Sequence, residues 1–568
     1  MTALNVEKVD RRIKWALLIV SLATLALLAI SALRENVFAT WRLERGKYGK
    51  ILNEKASNER EQALAAQFRT EIVQHVLPEL NVVDRCVTCH TGLDDPRMIA
   101  ETNPHKTHPG DFLVTHPPEK FGCVSCHGGQ GRATEKDDAH GHVPYWPSPR
   151  IEKPHLYAGC GGCHTYVGVP NLAMIERGKA AAEQYRCMEC HRIDGAGGSA
   201  QNDAPDLSET GIKGPVAKTR SVSEHGTCFL YDPAAAIPES DRNVLEQYLA
   251  TRTGAPDLIA AKALFHSEGC LGCHQVAGVG GDEGPDLTRV GEKEASRLDF
   301  SHVPGDRTLA NWFKAHLRAP ALVVPGSQMP ELGLDEEKAN LLTLYLLSLR
   351  RGVVSPALWP KDRVRTERLG EREFATDGWT LFTSFCAACH GSEGQGIRYR
   401  GLKSYPAIGG SDFLAAAPDA FIRTAVTQGR PGRRMPAWGE KKGGLRLDEI
   451  DAIITALRER AGQPEPEDEK PARWVAAPAP GIRPGNELYM ANCAGCHGTG
   501  GEGGEGLALN DPGLLRSATD TYLVTTISKG RRGTKMQGFA QASPTHPALT
   551  PREIESIVWF IRSWEDTK

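Results

Sequence analysis

The sequence CVTCH, residues 86–90, is the stretch that decides how this chain is organised. Taken alone, a C-x-x-C-H string fits a redox dithiol, half of a zinc site or a haem attachment point. The pattern occurs seven times and uses 14 of the 15 cysteines, so that only Cys228 lies outside it. The cysteines of the seven motifs are Cys86 and Cys89, Cys123 and Cys126, Cys160 and Cys163, Cys187 and Cys190, Cys270 and Cys273, Cys386 and Cys389, and Cys493 and Cys496.

The histidine that ends every motif decides between these chemistries. A zinc ribbon places two C-x-x-C pairs within roughly 15–20 residues and needs no histidine after each pair. Two thiols at this spacing can instead bond covalently to one haem, and the imidazole that follows can bind its iron as the proximal ligand. The sequence therefore predicts seven covalently bound haem c groups. The predicted proximal ligands are His90, His127, His164, His191, His274, His390 and His497.

An apolar stretch near the N-terminus predicts a membrane anchor. Residues 15–33 contain no charged side chain, and as a helix they would extend about 28 Å, which is one bilayer crossing. A cleaved signal peptide would normally have a shorter apolar region of about 7–15 residues. We therefore expect an uncleaved transmembrane helix after a cytoplasmic tail at residues 1–14. Because haem c is attached outside the cytoplasm, the expected location is the bacterial inner membrane, with the haem domains in the periplasm.

Length and charge limit the remaining possibilities. The 568 residues are too many for one core, so several domains are expected. The formal net charge of -3 offers no basic surface, and no nucleic-acid partner is expected. In residues 34–82, four apolar side chains recur every four residues and predict a stalk or docking helix; these are Leu64, Phe68, Ile72 and Val76. Such a helix would either meet a partner or pack on its own domain.

The remainder divides into one dense region and four repeats. Residues 83–170 hold three motifs and predict a compact triheme domain. An approach helix, a motif, a glycine-rich loop and a closing amphipathic helix then recur four times. Examples are RGKAAAEQYRCMECHRIDGAGG at residues 177–198 and DGWTLFTSFCAACHGSEGQG at residues 377–396. Each repeat resembles a class I cytochrome c domain, and the predicted bounds are 171–254, 255–351, 372–462 and 482–568. Proline-rich or charged linkers without helical periodicity precede the last two.

The predicted fold class is therefore mostly α with much irregular loop. It comprises one N-terminal transmembrane helix, a compact triheme domain and four class I cytochrome c-like helical domains.

Methionines are the predicted sixth ligands of the last three irons. The chain contains only eight methionines, and three of them lie in loops just before a closing helix: Met329, Met435 and Met536. A Met/His iron has a higher reduction potential than a bis-His iron. These three haems are therefore expected at the high-potential end of the chain.

Histidines are the predicted sixth ligands of the first three irons. Six histidines outside the attachment motifs lie in the triheme region, at positions 105, 108, 116, 140, 142 and 155. We favour His108, His116 and His140, with the pairing to individual haems open. The fourth haem has no methionine before its closing helix, and His225 is the nearest donor. A Cys228 thiolate, or an open or remotely ligated iron, are the alternatives there.

Two longer stretches carry a resemblance to a known family. They are VLPELNVVDRCVTCHTGLDDPRM at residues 76–98 and HPGDFLVTHPPEKFGCVSCHGGQGRATE at residues 108–135. With the anchor before them, they resemble the membrane-anchored multihaem c cytochromes associated with bc-type quinol-oxidising complexes, over about residues 1–215. The resemblance implies that cytochrome b and iron–sulfur subunits oxidise quinol and deliver electrons to this chain. It also implies that electrons leave towards a downstream cytochrome or terminal oxidase.

The predicted function is electron transfer from such a complex towards periplasmic or terminal acceptors, without a substrate site of its own. Bis-His irons near the membrane and Met/His irons farther along the chain would make this flow downhill. Three alternatives stay open. The chain could be a stand-alone quinol dehydrogenase, a haem reductase or peroxidase acting at the fourth haem, or a bridge that docks two respiratory complexes together.

Overall fold

The structure is a computed structural model, and two compact units account for its contacts. It describes residues 6–198, 204–213, 237–350, 354–400, 404–430, 434–467 and 470–565. One unit comprises Met1–Gly159, Glu294–Ser296 and Gly352–Leu358, and the other comprises Cys160–Lys293, Arg297–Arg351 and Trp359–Lys568. The boundary between Gly159 and Cys160 falls inside the predicted triheme region. The first two motifs thus belong to one unit and the third to the other, while the predicted domain bounds stay predictions.

The N-terminal apolar stretch is part of one long helix, α1, Val6–Asn36. No part of its apolar window is buried against other residues of the described chain. An ion pair between Lys14 Nζ and Asp10 Oδ2, 2.7 Å apart, lies before the apolar stretch. The helix is long and apolar enough to cross a membrane, which agrees with the predicted transmembrane element at residues 15–33.

The predicted stalk helix over residues 34–82 is wrong as a single element. The structure has two helices, α2, Thr40–Lys55, and α3, Glu59–Gln67, followed by two short strands, β1, His75–Leu77, and β2, Val82–Asp84. The strands pair antiparallel, with Leu77 opposite Val82. The helix ends at Gln67 because Phe68 turns to pack on Tyr48 of α2, with their ring centroids 5.3 Å apart. The four-residue spacing therefore spans a helix, a loop and a strand.

Short helices separated by loops make up the rest of this unit. They are α4, Phe112–Thr115; α5, Pro118–Phe121; α6, Val124–His127; and α7, Lys136–Ala139. Helix α6 contains all of the second motif except Cys123, and a single 3₁₀ turn at Cys86–Thr88 contains the first three residues of the first motif. Among the described residues, this unit thus has little regular structure after β2, and each of its α-helices there has four residues.

The second unit contains α8 to α25. They are α8, Leu172–Gln184; α9, Thr210–Lys213; α10, Glu239–Ala250; α11, Pro256–Ser267; α12, Leu309–Arg318; α13, Pro320–Val323; α14, Glu336–Ser348; α15, Lys361–Leu369; α16, Gly378–Phe385; α17, Ala387–His390; α18, Ser411–Leu414; α19, Asp419–Gln428; α20, Leu447–Ala461; α21, Gly485–Asn492; α22, Ala494–His497; α23, Pro512–Ser517; α24, Asp520–Lys529; and α25, Pro551–Arg562. Two small antiparallel ladders follow the fourth and fifth motifs: β3, Arg192–Ile193, with β4, Ala196–Gly197, and β5, Gln275–Val276, with β6, Val279–Gly280.

An approach helix packs on a closing helix in each of the four repeats. The pairs are α8 with α10, α11 with α14, α16 with α20, and α21 with α25. Small residues allow this close approach: a Cβ at Gly378 would lie 2.0 Å from the Ala452 carbonyl oxygen, and one at Gly485 would lie 1.9 Å from that of Ser556. Helix α11 also carries a fully buried small residue, Ala261. The predicted helical class, with little strand, is confirmed.

The segment before the sixth motif is not a bare linker. It contains α15, whose Arg363 donates to the Gly162 carbonyl at 2.6 Å and whose Thr366 donates to the Tyr166 carbonyl at 3.0 Å. The prediction that this linker lacks a helix is therefore wrong. Its many charged side chains hid the helix, because they pair with backbone carbonyls instead of forming an apolar stripe.

Candidate metal centres

The histidine of each motif in the last four repeats is held by one backbone carbonyl. The Nδ1-to-oxygen distances are 2.9 Å for His191 with Pro205, 2.8 Å for His274 with Pro285, 2.8 Å for His390 with Pro406, and 2.7 Å for His497 with Leu507. Because a carbonyl oxygen can only accept, Nδ1 carries the proton and Nε2 keeps its lone pair. This is the arrangement by which proteins orient an imidazole towards a metal.

Glycines leave room beside two of these rings. A Cβ at Gly284 would lie 2.4 Å from His274 Cε1, and one at Gly506 would lie 2.7 Å from His497 Cε1. Burial lowers the pKa of His274 and of His390, although a hydrogen bond to a carbonyl partly opposes it. Both imidazoles are therefore neutral at neutral pH, as a metal ligand must be. The motifs thus fit haem c, with two thiols for the porphyrin and an oriented nitrogen for the iron.

Asp84 joins the first two motifs. Its side chain is fully buried, Oδ1 accepts from the Cys86 amide at 2.9 Å, and Oδ2 accepts from the amides of Cys123 and Val124 at 2.7 Å and 3.0 Å. Both Sγ atoms and a carboxylate oxygen of Asp84 lie within 4.8 Å of one another. The hydrogen bond to Cys123, burial and the Asp84 charge all raise the pKa of the Cys86 thiol. The two attachment sites are therefore in contact.

Two pairs of histidine rings face each other in the same unit. The His140 ring centroid lies 6.4 Å from that of His90, and the His108 centroid lies 6.1 Å from that of His127. Each pair combines a predicted proximal ligand with a predicted distal ligand. Burial, together with the neighbouring His140, lowers the pKa of His90 to about 4, so this ring is also neutral.

The other histidines of this region have different surroundings. The His116 ring lies 4.9 Å from Phe121, and its Nδ1 lies 2.9 Å from the Thr115 hydroxyl. His105 is buried between the Thr91 hydroxyl and Glu44, each 3.2 Å from a ring nitrogen. His116 thus stays a predicted sixth ligand whose haem is open, and His105 is held by neighbouring side chains as a structural residue would be.

The third motif packs among helices of the second unit. Thr253 donates to the His164 carbonyl at 3.3 Å, and the buried Lys262 of α11 donates to the Thr165 carbonyl. Burial raises the pKa of the Cys163 thiol, while the Arg363 charge acts in the opposite direction. Residues from three later segments of the chain therefore contact or influence the third motif and the residue after it.

The fifth and sixth motifs touch through their second cysteines. The side chains of Cys273 and Cys389 are hydrogen-bonded to each other. This bond lowers the pKa of the Cys273 thiol and raises the pKa of the Cys389 thiol. A Cβ at Gly272 would lie 3.0 Å from the Ala388 Cβ, so the two motif backbones also approach closely. Arg434, next to the predicted ligand Met435, pairs with Glu283 of the preceding repeat at 2.8 Å.

The three predicted methionine ligands lie in loops before α14, α20 and α25. Two of these loops have the same geometry, because the Arg430 amide donates to the Met435 carbonyl at 2.9 Å and the Arg531 amide donates to the Met536 carbonyl at 2.8 Å. In the third loop, the Met329 amide donates to the Ser327 hydroxyl at 3.3 Å. The backbone of each loop is thus held in place, and the assignment of their sulfurs to irons stays a prediction.

His225 and Cys228, the candidates at the fourth haem, lie outside the described residues. Sequence reasoning missed other residues of these sites, above all Asp84 and the carbonyls that accept from the motif histidines. An aspartate just before a motif is a usable signal, since it can accept from the first amides of a turn. The accepting carbonyls had no such signal, because the interval from histidine to carbonyl varies between repeats.

Comparison with known proteins places these sites in a family context. A family model described as cytochrome c matches residues 259–350 and 482–565, and one described as cytochrome c oxidase, cbb3-type, subunit III, matches residues 373–455. These three matches coincide with the predicted domains of the fifth, seventh and sixth haems. Cytochrome c domains with covalently bound haem c are therefore present.

Two curated relatives belong to cbb3-type oxidases. The cbb3-type cytochrome c oxidase subunit CcoP of Azospirillum is 30% identical over 227 residues, which cover 36% of this chain and 68% of that protein. Subunit FixP of Bradyrhizobium diazoefficiens is 31% identical over 166 residues, or 28% of this chain and 51% of that one. The match thus spans only about half the length of the second relative. Both similarities support a multihaem cytochrome that carries electrons.

The chain is also similar to a solved structure. A chain of the Kuenenia stuttgartiensis reducing HAO-like protein complex is 20% identical, and the match covers 33% of this chain and 94% of that one. The TM-score of 0.23 is too low to support any statement about function.

Proposed function

This chain belongs to the cytochrome c family, and we propose that it is a membrane-anchored heptahaem cytochrome that receives electrons from a quinol-oxidising, bc-type respiratory complex. It passes them to periplasmic or terminal acceptors. The proposal combines the cytochrome c domains, the apolar helix α1 and the sequence resemblance of residues 1–215. Haem c supplies one-electron redox chemistry when bound, and the protein sets its potential through the axial ligands and their surroundings.

The residues of the chain have distinct roles in this proposal. The cysteines of the seven motifs tether the haems, and the histidine that ends each motif binds iron from the proximal side. Met329, Met435 and Met536 complete three irons, and His108, His116 and His140 complete the first three, with His225 as the candidate at the fourth. The carbonyls that accept from Nδ1 hold the proximal rings in orientation.

The contact between attachment sites is the observation that carries the proposal. Cys86 meets Cys123, and Cys273 meets Cys389, so two cofactors tethered at such a pair are neighbours. Electron tunnelling slows steeply as the distance between cofactors increases. A protein that only bound substrate at one haem would not need its attachment sites in contact.

The anchor places the haems at the membrane surface. Helix α1 crosses the bilayer with its N-terminus in the cytoplasm, so that the motifs lie on the periplasmic side, where haem c is attached. Quinol is confined to the bilayer, and its oxidation is assigned to the cytochrome b and iron–sulfur subunits of the partner complex. This chain then supplies the exit path for the electrons.

The deciding experiment measures reduction of the purified full chain by a quinol. We expect no reduction by quinol alone, and rapid reduction once the purified bc-type complex from the same membranes is added. An inhibitor of the quinol site should abolish the rapid reaction. Quinol oxidation by the chain alone would instead support a stand-alone dehydrogenase.

Two further measurements test the number and the coordination of the haems. The intact mass should exceed that of the polypeptide by seven haems, and the count should fall by one in a Cys493→Ala/Cys496→Ala variant. Electron paramagnetic resonance of the oxidised chain should show low-spin irons. A persistent high-spin iron that binds cyanide, and that changes only when the fourth repeat is altered, would favour a haem enzyme.

The bridge hypothesis has its own test. Deletion of residues 372–568 should slow electron delivery to the acceptor while the bc-type complex stays bound. Loss of the association between respiratory complexes, without slower electron transfer, would instead support a docking role.

A further inference from the structure

We infer that each of the first two haems takes its sixth ligand from the segment that follows the other haem's motif: His140 binds the iron of His90, and His108 binds the iron of His127. The inference rests on the proposed heptahaem function and deepens it, since it says which side chain serves which iron. The order along the chain would suggest otherwise, because His108 follows the first motif and His140 follows the second.

Ring spacing is the first argument. An imidazole nitrogen binds a transition metal at about 2 Å, and the ring centroid lies about 1 Å behind that nitrogen, so two rings on opposite sides of one iron have centroids about 6 Å apart. The observed separations are 6.4 Å for His90 with His140 and 6.1 Å for His108 with His127. Both pairs therefore have the spacing that one shared iron requires.

The surroundings of His108 are the second argument. Its Nδ1 is buried, and the His108 side chain is hydrogen-bonded to the Pro109 backbone. The ring also lies edge-on to Phe112, with centroids 6.3 Å apart. The His108 ring is thus held in place by its neighbours while it faces His127.

Backbone hydrogen bonds explain how the exchange is built. The His108 amide donates to the Leu93 carbonyl at 2.9 Å, which ties His108 to the segment that follows the first motif. His140 is tied to the second motif, because the Gln130 amide donates to the Ala139 carbonyl at 2.8 Å. The backbone of each distal ligand is thus hydrogen-bonded to the segment after one motif, while its ring faces the histidine of the other motif.

A shared segment strengthens the arrangement around His140. The Arg150 amide donates to the His140 carbonyl at 2.8 Å, and the next amide, of Ile151, donates to the His127 carbonyl at 2.7 Å. One extended segment therefore holds a distal ligand of the first haem and the proximal ligand of the second. With Asp84 bound to both motifs, the two haem sites form a single interlocked structure.

The test combines ligand variants with attachment variants of the full chain. His140→Met should convert one bis-His iron to Met/His, which raises one midpoint potential and increases the intensity of the near-infrared band that methionine-ligated ferric haems already give in the wild-type chain. Measured against the same background without the ligand substitution, the increase should persist in the Cys123→Ala/Cys126→Ala background and be absent in the Cys86→Ala/Cys89→Ala background. His108→Met should show the reverse dependence.

His142→Met is the matched control, because its ring lies 5.8 Å from that of His140 and it is not assigned to an iron. It should leave every potential unchanged. The opposite dependence on the two backgrounds would overturn the inference, as would an unchanged spectrum in both ligand variants. If an attachment variant fails to accumulate, a high-resolution cryo-electron microscopy map of the intact chain shows directly which histidine faces which iron.

Failure of the ligand assignment and failure of the proposed function can be distinguished. Quinol-dependent reduction of the wild-type chain through the bc-type complex tests the function and does not depend on which histidine binds which iron. An exchanged pairing in a chain that the complex cannot reduce would leave the inference standing and remove the proposed donor.

Discussion

At the residue scale, Asp84 is the side chain on which two attachment sites depend. It is fully buried and accepts three backbone amides from the two motifs. Hydrogen bonds to a buried carboxylate are stronger than neutral ones, and removal of the acceptor leaves buried amides unsatisfied. One short side chain thus aligns two haem attachment turns.

Replacement of Asp84 tests this role. Asp84→Ala should destabilise the first two haem sites by about 2–4 kcal/mol, because three amides lose their acceptor. Hydrogen exchange at residues 84–90 and 122–127 should rise together, and the haem content should fall below that of the wild-type chain. Asp94→Asn, at an exposed carboxylate in the same unit, should change neither. Faster exchange at only one motif would contradict the shared role.

Asp362 of α15 makes a pH-dependent contribution to stability. It is fully buried, and burial raises its pKa from 3.8 to about 6, against the opposing charges of Arg365 and Lys262. Because the folded pKa is the higher one, the protonated carboxyl favours the fold. This contribution is fully present below pH 3.8 and is lost as the pH rises through about 6. Its size is on the order of 2–3 kcal/mol.

Asp362→Asn should remove this dependence, since the amide stays neutral. We expect the variant to unfold at a higher temperature than the wild type at about pH 7.5, with a much smaller difference at about pH 4. Thermal unfolding of the full chain at several pH values measures this. Equal pH profiles for the two chains would show that the carboxyl does not titrate in this range.

At the scale of elements, helix crossings define the four repeats. Three of the approach helices carry a glycine where they meet the closing helix, and Gly178 of α8 is an example in the middle of a helix. A Cβ at this position would lie 2.2 Å from Tyr248 Cβ. Glycine disfavours a helix interior by about 1 kcal/mol relative to alanine, so only packing explains its presence here.

In Gly178→Ala, helix propensity and packing therefore have opposite effects on the stability of α8. Propensity alone predicts stabilisation, but the overlap with Tyr248 should destabilise the crossing by about 1–3 kcal/mol. Hydrogen exchange of α8 and α10 in the full chain should become faster. Gly495→Ala is the control, since nothing lies within 4 Å of its added Cβ and the motif becomes CAACH, as at residues 386–390. Slower exchange in α8 would show that propensity dominates.

At the scale of the whole molecule, the last two repeats are joined by reciprocal contacts. Arg531 of the seventh-haem repeat donates to Asp412 Oδ2 of the sixth-haem repeat at 3.0 Å. In the opposite direction, Arg430 Nη1 lies 3.8 Å from Asp511 Oδ1. Each arginine begins the loop that carries a predicted methionine ligand. These two repeats are therefore packed against each other and are not independent domains on a flexible linker.

Loss of one arginine should separate these repeats partly. Arg531→Ala removes an ion pair and a hydrogen bond to the Ala407 carbonyl, at a cost of about 1–3 kcal/mol. Proteases should cleave residues 463–481 faster, and exchange in α18 should increase. Lys535→Ala, which removes an exposed ion pair with Glu505, should have little effect. Unchanged cleavage in the Arg531 variant would show that apolar contacts alone hold the repeats together.

Local chemistry explains what the sequence by itself determined. The number and positions of the attachment motifs, the apolar stretch at residues 15–33 and the four helical repeats all depend on residues that are close along the chain. A motif needs only five consecutive residues, and a span needs only about 20 apolar ones. The stalk helix and the bare linker were wrong because Phe68 and Arg363 are positioned by contacts with distant residues.

The tertiary structure alone decided which groups meet. Asp84 reaches Cys123 across 39 positions, Cys273 meets Cys389, and His140 faces the histidine of the first motif although it follows the second. Contacts of this kind depend on how the backbone is folded between them, and no local pattern encodes that path. The haem chemistry thus depends on short local motifs, whereas the order of the haems in space depends on long-range packing.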